Sequence, residues 1–198
     1  MKGIYHFLVK PLQSRYNNTK SVGDKELIVN TENQNHEFIS RQGIVLSTPA
    51  INNTSIEENA EVILHHNVFR RWLDVKGKEK NSTSYFSEDK YIVGQDQIFL
   101  YKNNSIDEWR PLKGFCFVQP LAYNNKFSEN KEHPDRGVIV YTDGVYEKGE
   151  VVGYTPFSQY EFIIDGQRLF RVHNKFITIK YGDQGDKETY NPSWAQSS

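Results

Sequence analysis

"CFVQPLAYNNK", Cys116–Lys126, nearly repeats "FLVKPLQSRYNNTK", Phe7–Lys20, and the relation between the two decides the fold. Setting Pro11 on Pro120 pairs Leu8 with Phe117, Val9 with Val118 and Leu12 with Leu121, an offset of 120 − 11 = 109. A strand-like segment that recurs with Tyr-Asn-Asn behind it marks a duplicated unit, and an internal repeat governs every later assignment.

Around these two anchors the apolar runs are short and separated by turn residues, which is the rhythm of strands. Strands are predicted near 4–9, 37–40, 43–47, 61–68, 84–86, 91–93 and 97–102. After the polar connector "KNNSIDEWRPLKG" they follow near 115–119, 137–141, 151–154, 160–164, 167–172 and 176–181. No segment keeps apolar residues at i, i+3, i+4, i+7 through three turns, so helix is minor or absent. Each half opens with a strand and runs into a long polar loop, 13–35 and 122–135. Each loop ends at an Arg before a Gly-led apolar strand, "RQGIVLST" (Arg41–Thr48) and "RGVIVYTD" (Arg136–Asp143). "YEFIIDGQRLFRV" is a hairpin signal, because Asp165-Gly166 supplies two residues tolerant of positive φ. The fold class is therefore all-β, as two tandem small β-barrels, since closure removes exposed sheet edges. The expected division is 1–110 for the first barrel with its loop at 14–34, 111–182 for the second, and 183–198 as an extended polar tail. A loosely attached terminus is expected there, with Trp194 as its one anchoring candidate.

Composition agrees. Val, Ile, Tyr, Phe, Thr, Asn and Gly are plentiful while Met occurs once, a balance that favours strands. Lys+Arg 24 against Asp+Glu 25 leaves a net charge of −1, so no global field draws the chain to nucleic acid or anionic membrane. The single cysteine, Cys116, excludes an internal disulfide and suits a reducing cytosol. "MKGIYHFLVKPL" lacks the apolar run of a signal peptide, and no stretch approaches the ~20 apolar residues of a spanning helix. A cytoplasmic protein is expected.

The order of these elements resembles the GroES-type co-chaperonins. The likeness runs from "FLVKPL" through "RQGIVLSTP" and "AEVILHHNVFR" to "SEDKYIVGQDQIFLY" in the first half, and through "RGVIVYTD" and "EKGEVVGYTPFSQYEFIIDGQRLFRVHNKFITI" in the second. It covers most of the chain except linker and tail, and its specificity lies in order rather than in any one motif. The doubling departs from the single-barrel member and suggests a divergent version, as in large bacteriophages. The resemblance implies a ring-shaped homo-oligomer that caps a GroEL-like chaperonin through loops with a short aliphatic edge. The partner hydrolyses the nucleotide, so this chain needs no cofactor.

"GIVL" at Gly43–Leu46 has the letters of that edge, but it occupies the family's first strand after the loop. "SVGDKELIVN" (Ser21–Asn30) is the better match, and it makes Leu27, Ile28 and Val29 the chaperonin-binding residues. Three consecutive aliphatics inside a polar loop have little means of burial there. Ordering the loop costs about 1–2 kcal/mol per residue, and burying each aliphatic on a partner returns about 1.5–3 kcal/mol. One loop binds weakly and several in a ring bind well by effective concentration. The competing structural role is a strand at 26–30, buried in the barrel or paired with 37–40. The second loop, "AYNNKFSENKEHPD", offers only Phe127 and lacks a triplet, so the second barrel is expected to be structural or inter-subunit.

Other chemistry is thin. Adjacent strand residues face opposite sides, so His65 and His66 are not expected to share a metal ion. Arg70, Arg71 and Trp72 with Lys76, Lys78 and Lys80 make a basic patch with an aromatic, the look of an oligonucleotide surface. Asp74, Glu79, Glu88 and Asp89 interrupt it, which favours a solvated, salt-bridged hairpin; the family's likeness puts this region in the roof of the dome. Cys116 between Phe115 and Phe117 is expected to be a small core residue. No nucleophile motif, phosphate loop or Asp-rich metal box is present, so enzyme activity is not expected. The alternative to a co-chaperonin is a viral structural or interaction barrel without chaperonin binding; a barrel for single-stranded nucleic acid is a third.

Overall fold

The computed structural model describes residues 2–16, 19–22, 25–28, 39–105, 107–123, 131–182 and 188–196, with backbone alone for 19–22 and 25–28. The chain divides into two compact units, Met1–Trp109 and Arg110–Ser198. The first holds β1 (Phe7–Pro11), β2 (Thr19–Val22), β3 (Lys25–Ile28), β4 (Gln42–Ser47), β5 (Glu61–Leu64), β6 (Arg71–Leu73), β7 (Glu79–Asn81), β8 (Tyr85–Ser87), β9 (Lys90–Val93) and β10 (Ile98–Lys102). The second holds β11 (Arg110–Pro111), β12 (Phe115–Ala122), β13 (Glu132–Thr142), β14 (Val151–Tyr154), β15 (Tyr160–Ile164), β16 (Gln167–His173), β17 (Ile177–Tyr181) and the one-turn helix α1 (Ser193–Gln196). The protein is all-β with antiparallel sheets. Among the described residues no helix is long and apolar enough to cross a membrane.

The strand order in the first unit is β8-β9-β1-β4-β5-β10, and in the second β15-β16-β12-β13-β14-β17. The two orders are the same strand for strand once β1 is laid on β12. Register repeats as well. Val9, Lys10 and Pro11 face Val45, Ile44 and Gly43, while Val118, Gln119 and Pro120 face Ile139, Val138 and Gly137. The ladder slips between Leu8 and Val9 in one unit and between Phe117 and Val118 in the other. In the last pairing β10 skips Phe99 opposite Leu64 and Ile63, and β17 skips Thr178 opposite Tyr154 and Gly153. A 3-10 turn precedes each closing strand, Gln95–Gln97 and Asn174–Phe176. Bulges mark where a sheet bends and are positional features rather than defects. Their recurrence at matching places extends the likeness between the units from strand order to local geometry.

Neither order is closed: β8 and β10, and likewise β15 and β17, are not paired with one another among the described residues. The closed barrels expected from the sequence are open antiparallel sheets here. Strands covered on one side show the period-2 pattern that half-burial imposes, as in β9, where Tyr91 and Val93 are buried and Lys90 and Ile92 are exposed. Central strands lose it, and β12 buries Cys116, Phe117 and Val118 in succession. In the second unit Cys116, Val118, Ile139, Val152, Tyr154, Phe170 and Val172 form one core cluster. Gly43 and Gly137 sit at equivalent crossings. A Cβ on Gly137 would lie 2.6 Å from the Gln119 carbonyl oxygen, and one on Gly43 2.7 Å from Val9 Cγ1, so both strands need glycine for their approach. The Asp165-Gly166 turn has φ of 50° and 73°, as the hairpin signal requires.

The tail is not loosely attached. Residues 188–190 run along β12: the Ala122 and Tyr190 amides donate to the Glu188 and Pro120 carbonyls at 2.8 Å each, and Leu121 bridges Thr189. Asn191 then clasps the β15–β16 turn, donating to the Gly166 carbonyl at 2.9 Å and accepting from the Arg168 amide at 3.0 Å. Ala195 is fully buried, while Trp194, the anchor expected from sequence, stays about half exposed with Arg168 over its ring at 5.9 Å.

Candidate docking site

The segment that carries Leu27, Ile28 and Val29 leaves the sheet after β1 and returns at β4. Within it β2 and β3 pair antiparallel in a two-stranded sheet of their own, Thr19 facing Ile28, Lys20 facing Leu27, Ser21 facing Glu26 and Val22 facing Lys25. Leu27 and Ile28 are thus the last two residues of a hairpin strand; Val29 lies outside the described residues. The sequence suggests an unstructured arm, or a strand at 26–30 that is buried in the barrel or paired with 37–40. The structure pairs 25–28 with 19–22. That pairing satisfies backbone donors and acceptors within the segment, which a polar stretch outside the main sheet needs.

The root of the excursion is fixed. Tyr16 bridges Ile39 across it, and the Ser40 amide donates to the Arg15 carbonyl at 2.9 Å. Arg15 reaches across the unit: its Nε and Nη2 both donate to the Phe69 carbonyl, at 3.2 and 3.0 Å, and its Nη1 donates to Asn81 Oδ1 at 2.9 Å. The guanidinium lies 5.4 Å from the Tyr91 ring and 6.0 Å from the Tyr85 ring. Burial pulls its proton affinity down, against the raising influence of Tyr91. Tyr16 is buried, its hydroxyl accepts the Arg71 amide at 2.7 Å, and the Arg71 guanidinium covers its ring at 5.0 Å. No periodicity flags Arg15 and Tyr16 in the sequence. A charged and an aromatic residue at the mouth of a polar loop read as loop, and only the fold brings 69, 71, 81 and 91 to them.

The basic segment forms the second hairpin on this base, β6–β7, with Arg71 facing Asn81, Trp72 facing Lys80 and Leu73 facing Glu79. It is salt-bridged: Arg71 pairs with Glu79 at 2.9 Å and Lys80 with Asp74 at 4.0 Å. Asp74 builds the tip, its Oδ1 accepting the Lys76 and Lys78 amides at 2.9 Å each, and Gly77 supplies the positive φ of 74°. β4 runs away from the excursion's root and β5 runs back, so the 48–60 connection lies at the opposite end of the sheet. The β6–β7 base contacts Arg15 and Tyr16, at the root itself.

The remaining candidates resolve simply. His65 and His66 are beyond the end of β5, and a turn closed by the Val68 amide on the His65 carbonyl stacks their rings at 4.3 Å. Opposite-facing rings were expected because the strand was predicted to continue to 68. Among the described residues no three His, Cys, Asp or Glu side chains are grouped as a metal site requires. Cys116 is fully buried beside the Val172 carbonyl, and burial, with Asp143, pushes its thiol up to about 12. In the second unit the Tyr123 amide donates to the Lys131 carbonyl at 2.9 Å and closes a much shorter loop; Phe127 lies outside the described residues. No protein-family model matches the chain, and a search of curated proteins finds no relative.

Proposed function

We propose that this protein is a co-chaperonin: a duplicated GroES-like chain that forms a homo-oligomeric ring, caps a GroEL-like chaperonin in the cytoplasm and docks through Leu27, Ile28 and Val29. A bacteriophage origin fits the doubling. The observation that carries the reading is the anchored excursion. One unit of a repeated fold sends out a hairpin whose second strand ends at Leu27 and Ile28, with Val29 next in sequence, and its root is clamped by Arg15 and Tyr16 while its strands form a two-stranded sheet of their own. The other unit has the same strands with a short loop in that place. A cap that must release in every cycle needs arms that bind feebly alone and firmly together, and a hairpin on a fixed root lowers the ordering cost that a free arm pays.

The test mixes the protein with a purified GroEL-type chaperonin and ATP and follows co-migration on a sizing column, with limited proteolysis alongside. Expected are a nucleotide-dependent complex, a free protein that is a multimer by native mass, and cleavage between Ser14 and Gln34 that the chaperonin suppresses. A monomer that never co-migrates refutes the proposal.

A further inference from the structure

We infer that the β6–β7 hairpin is a second docking arm, which binds an acidic, apolar-patched protein surface next to the one that receives the β2–β3 arm. The inference rests on the co-chaperonin reading for the identity of the partner, and on the hairpin itself for its chemistry. Trp72 and Leu73 are each nearly half exposed and Val75 at the tip is fully exposed. Adjacent in β6, Trp72 and Leu73 face opposite sides of the hairpin, so both of its faces carry exposed apolar surface, which is unfavourable in water and marks an interaction site. The cations on the same hairpin are only partly compensated. Arg71 and Lys80 have Glu79 and Asp74, whereas Arg70, Lys76 and Lys78 have no carboxylate partner among the described residues. An apolar tip with an excess of positive charge is complementary to an apolar patch rimmed by Asp and Glu. Leu and Val give no stacking platform, so a single Trp makes a poor base-binding surface. The observations therefore favour a protein over an oligonucleotide.

Position makes the two arms one device. Asn81, at the base of β7, accepts from Arg15 through its side chain and from the Trp72 indole through its carbonyl at 3.3 Å; Arg71, at the base of β6, covers Tyr16. The roots of both hairpins are thus tied to one block of side chains. Two arms fixed to one base meet a partner together, which raises their joint affinity without further ordering cost. The equivalent connection in the second unit, between β14 and β15, carries no such hairpin, so the device belongs to the unit with the long excursion.

The experiment measures dissociation constants for an ATP-loaded GroEL-type chaperonin with the wild type, L73S/V75S and K76E/K78E. The substituted side chains are exposed and outside the Arg15 block, and unfolding curves that superimpose on wild type check that the fold is kept. Expected is a loss of at least about tenfold for each variant, with a shallower salt dependence for K76E/K78E. Wild-type binding with both variants equally tight overturns the second arm and leaves the co-chaperonin reading standing. Absence of wild-type binding overturns both. Binding of a single-stranded 20-mer oligonucleotide at 150 mM salt that K76E/K78E abolishes, in a protein indifferent to chaperonin, moves the hairpin to nucleic acid and also overturns the inference.

Discussion

Replacing Arg15 by Ala should loosen the root of the excursion while leaving the sheet intact. Three hydrogen bonds from a charged donor disappear, two to one carbonyl and one to Asn81. Each such bond contributes about 1.5–3 kcal/mol when its acceptor is otherwise unmet. The shared acceptor counts nearer once than twice, and each ring contact adds about 0.5–1 kcal/mol. Against this stands the cost of keeping a guanidinium half out of water, the same burial that lowers its proton affinity. The balance is about 2–4 kcal/mol for Arg15→Ala, or a fall of roughly 10 °C or more in the first unit's unfolding. Arg15→Lys keeps the charge without the planar fork and should recover less than half. Hydrogen exchange locates the effect: the amides of Ser40, which donates to the Arg15 carbonyl, and of Arg71, which donates to Tyr16, should lose protection, and Val45 in the sheet should not. An Arg15→Ala protein within about 0.5 kcal/mol of wild type, with Ser40 and Arg71 still protected, refutes the clamp.

Cys116 gives the second unit an alkaline weakness. Its folded pKa is raised, so its contribution is complete below the unfolded value near 9 and is lost as pH climbs towards about 12. The loss runs at about 1.4 kcal/mol per pH unit, roughly 2 kcal/mol between pH 9 and 10.5. Cys116→Ala, whatever its stability at pH 7, should flatten that slope, and an unchanged slope assigns it elsewhere. Gly43→Ala and Gly137→Ala should each destabilise their own unit by about 1–3 kcal/mol through the backbone and side-chain approaches at those crossings; denaturant melts check this, and neutrality at either position contradicts the equivalence of the two crossings. The Tyr154 hydroxyl is buried without a protein partner among the described residues, so Tyr154→Phe should be neutral or stabilising by about 1 kcal/mol in the same assay. A loss above about 1 kcal/mol refutes that.

Much of the fold was legible because repetition and register leave marks. Pro11 and Pro120 hold the same place in the ladder, each opposite a glycine that the crossing requires, so the alignment on proline survives in the pairing. Asp165-Gly166 was readable because its turn demands positive φ from both residues. Closure was not readable, since alternation says which face is buried and nothing about whether outer strands meet. β2 was not readable and the partner of a strand at 26–30 was misplaced, because "TKSV" and "KELI" show neither alternation nor β-branched enrichment, and among the described residues they pair with each other. On composition alone the tail reads as loose. Asn191 and Ala195 hold it through a carbonyl and a small buried surface that no pattern announces. The same holds for the candidate site: the aliphatic triplet stands out in a polar loop, but its anchors are scattered from Arg15 to Tyr91 and meet only in three dimensions.

The central claim is that Leu27, Ile28 and Val29 are the grip on a chaperonin. It is tested most directly by titrating an ATP-loaded GroEL-type chaperonin with wild type and with L27S/I28S/V29S, after native mass and unfolding curves show the variant assembled and folded. Loss of binding by the assembled variant, with wild type bound, is the expected result. A variant that binds as tightly as wild type contradicts the claim.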